Sequence, residues 1–169
     1  MNSENLKKLL DDMAGVYYPG VDLCIYHKHR EVFRYQAGYS DVKNKIPVDP
    51  NAMCYLFSCT KPLTEERIIG KRTIDIIRTN AMSYNHINEY WKMNMGYGYG
   101  LGVRTLIDNA AGRILSNRGE FGWDGAAGSF ILMDPDEELA IFMAEFTRNP
   151  YNNIVPHRIT NAVYSSLDK

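Results

Sequence analysis

The chain opens on a helical period. Leu6, Leu9, Leu10 and Met13 recur at spacings of three and four among Lys7, Lys8, Asp11 and Asp12. That spacing predicts an amphipathic helix from about Glu4 to Ala14, with Ser3 as its N-cap. After the turn sequence Tyr17-Tyr18-Pro19-Gly20 the period changes to two. Val21–Tyr26 and Glu31–Tyr39 alternate in this way and read as a hairpin around His27-Lys28-His29-Arg30. Residues 41–51 are polar and turn-rich, and they lead into a helix at Ser58. A short helix is expected over Thr73–Asn80. Strands are expected over Gly98–Asp108, Arg113–Arg118, Gly128–Met133 and Leu139–Phe146. Ile154–Leu167 reads as a closing helix anchored by Ile154, Ile159, Val163 and Leu167. Asn85–Asn94, rich in Asn, Tyr and Met, reads as a loop. This order of elements predicts an α+β fold, an antiparallel sheet flanked by N- and C-terminal helices.

Composition narrows the picture. A length of 169 residues suits one compact domain, residues 1–169. The formal net charge is -1, with both signs interspersed. That argues against nucleic acid and against a charged membrane surface as partners. No apolar run is long enough to span a bilayer, and the first helix is amphipathic rather than an apolar signal segment. Cys24, Cys54 and Cys59 are odd in number and form no Cys-x-x-Cys. A disulfide framework is therefore not expected, and a reducing, cytoplasmic setting is. His27 and His29 stand at a turn without a third ligand nearby, and His86 and His157 are isolated. No metal and no cofactor are expected. Gly96–Gly102 lacks the Lys-Ser/Thr ending of a phosphate loop and reads as a strand entry.

The candidate chemistry lies in two distant segments. The first is Phe57-Ser58-Cys59-Thr60-Lys61-Pro62, a Ser-x-x-Lys motif. On a helix that spacing puts the Lys61 amine on the face of the Ser58 hydroxyl, a nucleophile with a base one turn away. The amine accepts the proton only when it is partly neutral, which burial and neighbouring cations favour. The second segment is Gly119-Glu120-Phe121-Gly122-Trp123-Asp124-Gly125-Ala126-Ala127-Gly128. A glycine-rich strand brings backbone N–H groups close to such a hydroxyl, where they stabilise an oxyanion.

In this context Tyr55–Thr64 resembles the nucleophile segment of the serine beta-lactamase and penicillin-binding superfamily, nearest its class C and esterase branches. Gly98-Tyr99-Gly100-Leu101-Gly102-Val103 is similar to that family's Gly-Tyr-Gly-Leu-Gly strand entry. Trp123-Asp124-Gly125 stands where the family carries Lys-Thr-Gly, His-x-Gly or Trp-x-Gly. Asp134-Pro135 and Glu138–Met143 match the turn and strand that follow. The resemblance implies Ser58 as nucleophile, Lys61 as base and the N–H groups of Ser58 and Ala126 as the oxyanion hole. Trp123, Asp124 and Gly125 would line the substrate. Cys59 would be a small packed residue, and Asp124 would cap the turn or face solvent.

The family's long helical region with its Tyr-x-Asn or Tyr-x-Ser motif has no counterpart here. Thr64 runs almost directly into Glu65–Ile74, which resembles the helix before the Gly-Tyr-Gly-Leu-Gly strand. A deletion seam is expected near Thr64 and Glu65. Tyr151-Asn152-Asn153 and Tyr164-Ser165-Ser166 fit the missing motif literally but follow the last strand. They read as loop and as helix packing.

The expected function is hydrolysis of small esters or beta-lactam-like amides through an acyl-enzyme, weakened by the loss of the helical region. The competing expectation is a folded scaffold without turnover. Self-association as a homodimer is expected, because removal of a helical layer exposes apolar surface near Ser58 and Ile68–Ile77.

Overall fold

The computed structural model describes residues 3–59, 70–83, 94–145 and 154–167. Its centre is one sheet of eight antiparallel strands in the order β3-β2-β1-β8-β7-β6-β5-β4. The strands are β1 (Gly20–His27), β2 (Arg30–Asp41), β3 (Ile46–Pro47), β4 (Tyr97–Tyr99), β5 (Arg104–Leu106), β6 (Phe121–Asp124), β7 (Phe130–Asp134) and β8 (Leu139–Glu145). The helices are α1 (Ser3–Met13), α2 (Lys71–Ile77), α3 (Asn109–Gly112) and α4 (Val155–Leu167), with a 3-10 turn at Phe57–Cys59. The expected α+β class, a sheet flanked by terminal helices, is what the chain adopts.

The two terminal helices cover one face of the sheet. Leu6, Leu10 and Met13 of α1 and Ile159 and Val163 of α4 pack on Val21, Leu23, Ile25, Leu132, Ile141 and Met143. Period two on the strands and period 3.6 on the helices therefore meet in a single core. Full burial of one such side chain contributes about 1.5–3 kcal/mol. The opposite face carries a smaller cluster of Ile77, Val103, Phe121 and Met133. Along β6, Phe121 and Trp123 thus belong to this second face, and Gly122 and Asp124 to the face under α4.

The β1–β2 hairpin closes on Lys28 and His29, both with positive φ (50° and 62°). That is the geometry of a two-residue turn matched to the twist of the strands.

Three expectations need correction. Gly98–Asp108 is two short strands rather than one, with Tyr97 opposite Leu106 and Tyr99 opposite Arg104. The break falls at Gly100–Gly102. A side chain at Gly100 would collide with the Ile77 carbonyl, and Gly102 has φ +82°.

Arg113–Arg118 is not a strand. Its backbone bonds go to the preceding helical turn and to side chains instead of a neighbouring ladder. Asn161 of α4 accepts from Leu115 N–H (2.9 Å) and donates to Arg113 O (3.0 Å), while Asn109 donates to Ser116 O (2.5 Å). The strand that follows is Phe121–Asp124.

Ile154 is not an anchor of the last helix. It is 40% exposed, and Val155 takes the buried position at 1%. The stretch from Asn85 to Met93, Tyr151 and the seam at Thr64–Glu65 lie outside the described residues.

Candidate active site

The segment that carries Ser58 is tied to the sheet before it reaches the serine. Asp49 accepts from Asn51 N–H (2.8 Å) and Ala52 N–H bonds Asp49 O (3.0 Å), a turn that redirects the chain after β3. Arg34 on β2 holds this turn down. Its Nη2 donates to Pro50 O (2.7 Å) and to Asp22 Oδ2 of β1 (2.7 Å). Phe57–Cys59 then forms a 3-10 turn, closed by Cys59 N–H on Leu56 O (3.1 Å).

This turn docks on the end of β6. Cys59 is fully buried, and its Sγ lies 3.0 Å from Ser129 O and 3.3 Å from Trp123 O. Burial pushes the Cys59 thiol up to about 12, helped by the negative charge of Asp124. A thiol so protonated is a packing group and not a nucleophile at neutral pH. Gly125 completes the fit, because a Cβ there would collide with Leu56 O and stand 3.3 Å from Cys59 Sγ. Ser58, between Leu56 and Cys59, is half-buried beside these groups.

The β6–β7 connection is a tight turn. Gly128 N–H bonds Gly125 O (3.0 Å) and Gly125 N–H bonds Ser129 O (2.6 Å). These two bonds use neither polar group of Ala126, which is exposed at the tip of the turn. Trp123 is partly exposed and meets Tyr99 edge-on, with ring centroids 5.4 Å apart. The two rings form an aromatic corner at the end of β4 and β6.

The structure thus brings Ser58, Trp123 and Gly125 into one neighbourhood, with Ala126 at the adjoining turn. Lys61 lies outside the described residues. Asp124 corrects its expected role. It neither caps the turn nor stands free in solvent, because its Oδ2 accepts from Arg104 Nε at 3.3 Å on the α4 side of the sheet. Tyr164 packs as expected and donates to Asp134 from within α4. Its pKa is raised, first by burial and then by that carboxylate.

Sequence reasoning missed two sets of groups. One is Tyr99. The other is the buried cluster of Tyr97, Arg104 and Glu120. Alternation along Glu120–Asp124 was the available signal, since with Phe121 and Trp123 on one face the two acids must share the other.

Among the described residues no group of three His, Cys, Asp or Glu could hold a metal ion, and no helix is long and apolar enough to cross a membrane.

Helices on one face of an open antiparallel sheet, with a serine-bearing turn docked at the end of β6, define an α+β fold. The family model described as Beta-lactamase matches residues 6–65 of this chain, the part that runs from α1 past Ser58. No curated protein matches the chain significantly. Solved structures similar to it include EstCE1, a hydrolase with promiscuous acyltransferase activity. That likeness has 22% identity over 59% of this chain and 26% of that one, at a TM-score of 0.49. The unliganded selenomethionyl simvastatin synthase LovD from Aspergillus terreus is similar at 16% identity, over 58% of this chain and 29% of that one, with a TM-score of 0.45. The chain therefore covers under a third of the length of either structure.

Proposed function

We propose that this chain is a serine hydrolase that acts through an acyl-enzyme on small esters. Ser58 Oγ attacks the ester carbonyl. Lys61 takes the hydroxyl proton and returns it to the departing alkoxide. The N–H groups of Ser58 and Ala126 hold the oxyanion, and water then releases the acid and regenerates Ser58. Beta-lactam-like amides are the second substrate class.

The observation that carries this reading is the docking of the Leu56–Cys59 segment on Trp123–Gly125, with Cys59 Sγ 3.3 Å from Trp123 O. It sets the candidate nucleophile beside the turn that bears the candidate oxyanion donor. The family match ends at residue 65, which supports a seam near Thr64–Glu65. Loss of the helical region there would open the cleft to water and weaken turnover.

The test is intact-mass analysis after exposure to a short-chain nitrophenyl ester and to a penicillin. An acyl adduct on the parent that disappears in Ser58→Ala is expected. No adduct, or one that survives Ser58→Ala, refutes the assignment. A steady-state comparison of the parent with Lys61→Ala separates enzyme from scaffold, since equal near-background rates would leave only a scaffold.

A symmetric dimer belongs to the same proposal. Met53 (98% exposed), Tyr55 (84%) and Ile76 (61%) present apolar surface that a second copy could cover. Sedimentation that shows a monomer at all concentrations would rule it out.

A further inference from the structure

Behind the candidate site, on the face covered by α4, the sheet buries a charged cluster. Arg104 is 5% exposed and Glu120 is 0% exposed. Arg104 Nη1 lies 3.4 Å from both Glu120 oxygens, and its Nε lies 3.3 Å from Asp124 Oδ2. The guanidinium stands 5.0 Å from the centroid of the Tyr97 ring, and Tyr97 donates to Glu120 Oε1 at 2.7 Å. Next to the cluster is a cavity of ≈ 10 Å³ lined by Tyr97, Arg104, Asp124, His157 and Thr160, about the room of one water. Although burial pulls the Arg104 pKa down, Asp124 and Glu120 together push it up. The arginine therefore stays charged where a sheet and a helix meet.

Such a cluster is poor value as stability, since apolar residues of similar volume usually serve as well or better. Its position suggests a different use. The ladder between β5 and β6 contains only Arg104 opposite Gly122 and Thr105 opposite Phe121. Trp123 and Asp124 lie beyond it, so on the β5 side the end of β6 is tied by the Arg104–Asp124 ion pair. Asp124 is followed directly by Gly125, which the Leu56 carbonyl touches, and by Ala126. The same end of β6 therefore meets the ion pair on one face and the serine turn on the other.

We propose that Arg104 and Asp124 are positioning residues for the reaction at Ser58. From the back of the sheet they fix the end of β6 and so set the Ala126 N–H against the Ser58 hydroxyl. Glu120 and Tyr97 complete the clamp by orienting the guanidinium. The inference rests on the Ser58 acyl-enzyme reading. Its physical basis is the steep dependence of rate on alignment, where a displacement of about 1 Å costs on the order of 100-fold.

The test compares the parent chain with Asp124→Asn, Arg104→Lys and Tyr164→Phe. Tyr164→Phe removes a buried hydrogen bond to Asp134, near the Phe121 end of β6 and not the Asp124 end. The readout is hydrolysis of nitrophenyl butyrate per active chain, with active chains counted as the Ser58-acylated fraction by intact mass. Asp124→Asn and Arg104→Lys are expected to lower kcat per active chain about tenfold, with KM within about twofold, because charge-assisted aim is lost but the cleft is not. Tyr164→Phe is expected to change thermal stability only. Parent-like kcat in Asp124→Asn overturns the proposal. So does an equal loss in Tyr164→Phe, and so does failure of both cluster variants to fold, which would make the cluster purely structural. A parent that forms no Ser58 adduct refutes the Ser58 reading itself and this inference with it. That result is distinct from an active parent with an unaffected Asp124→Asn.

Discussion

Gly125 and Leu56 meet backbone to backbone, because any Cβ at Gly125 would occupy the space of the Leu56 carbonyl oxygen. The turn that carries Ser58 can approach β6 this closely only over a glycine. Gly125→Ala should push the serine turn away and cost about 1–3 kcal/mol of stability. For a chain of this size that is a drop of about 2–4 °C in Tm per kcal/mol. The ester rate should fall at least about tenfold, since the alignment of Ser58 is lost with the contact. Gly70→Ala has open space at its Cβ and serves as the control. Paired thermal melts and ester assays on the two variants decide the matter; equal effects would separate Gly125 from the site.

Cys59 should be the least reactive of the three thiols. Its pKa is pushed up to about 12 by burial, and Cys24 is pushed up to about 11 by burial and by Glu31. The Cys54 thiol is raised as well, chiefly by burial, but both it and Cys24 are only partly covered. In timed alkylation of the folded chain near pH 8, Cys59 should label last and only on opening of the structure.

The sign of the pH effect follows from the same shift. The folded Cys59 keeps its proton where the unfolded thiol, at its ordinary value of 9.0, begins to lose it. Stability from this group is complete below about pH 9 and falls as pH rises toward 12. Urea midpoints should therefore decline from pH 8 to pH 10.5, and decline less in Cys59→Ala. A flat profile would argue against a protonated buried thiol.

The hairpin turn leaves stability unclaimed. Lys28 and His29 hold left-handed backbone with φ 50° and 62°, a conformation that costs a side chain about 1–2 kcal/mol per residue. Replacement by Asn-Gly, the favoured pair for this turn, should raise Tm by several degrees. Among the described residues the charge contact given up at position 29 is His29 to Glu138, at 3.9 Å with the imidazole 90% exposed, and such a contact contributes little. An unchanged or lower Tm in Lys28→Asn with His29→Gly would contradict the turn geometry.

Substrate choice follows from where the cations are. Trp123 stands where the resembled family's Lys-Thr-Gly motif carries its lysine, and Arg104 is buried and paired to two acids. Arg118 and Lys71 are exposed to solvent. Among the described residues a beta-lactam carboxylate therefore lacks a fixed cationic partner near the Trp123–Tyr99 corner, and a small apolar acyl group does not need one. Acylation by a butyrate ester should outpace acylation by a chromogenic cephalosporin. The reverse order would reveal a carboxylate site elsewhere.

What could be read directly along the chain was what depends on near neighbours. Leu6, Leu10 and Met13 on α1, the alternation of Val21, Leu23 and Ile25, and the closing helix with Ile159 and Val163 are local periods, and local periods specify helix or strand. The two segments that meet, Leu56–Cys59 and Trp123–Gly125, stood out too, as motifs and not through periodicity. Tertiary structure decided the rest. Gly98–Asp108 became two strands because Gly100 must pass under the Ile77 carbonyl, more than twenty residues away in sequence. Arg113–Arg118 lost its strand because Asn109 and Asn161 took its backbone bonds. Asp124 read as a turn residue until cross-strand pairing set Arg104 beside it. Elements follow from local spacing, but the partner of a buried charge is chosen by strand register and helix packing between segments far apart in the chain. Only the assembled sheet brings those segments together.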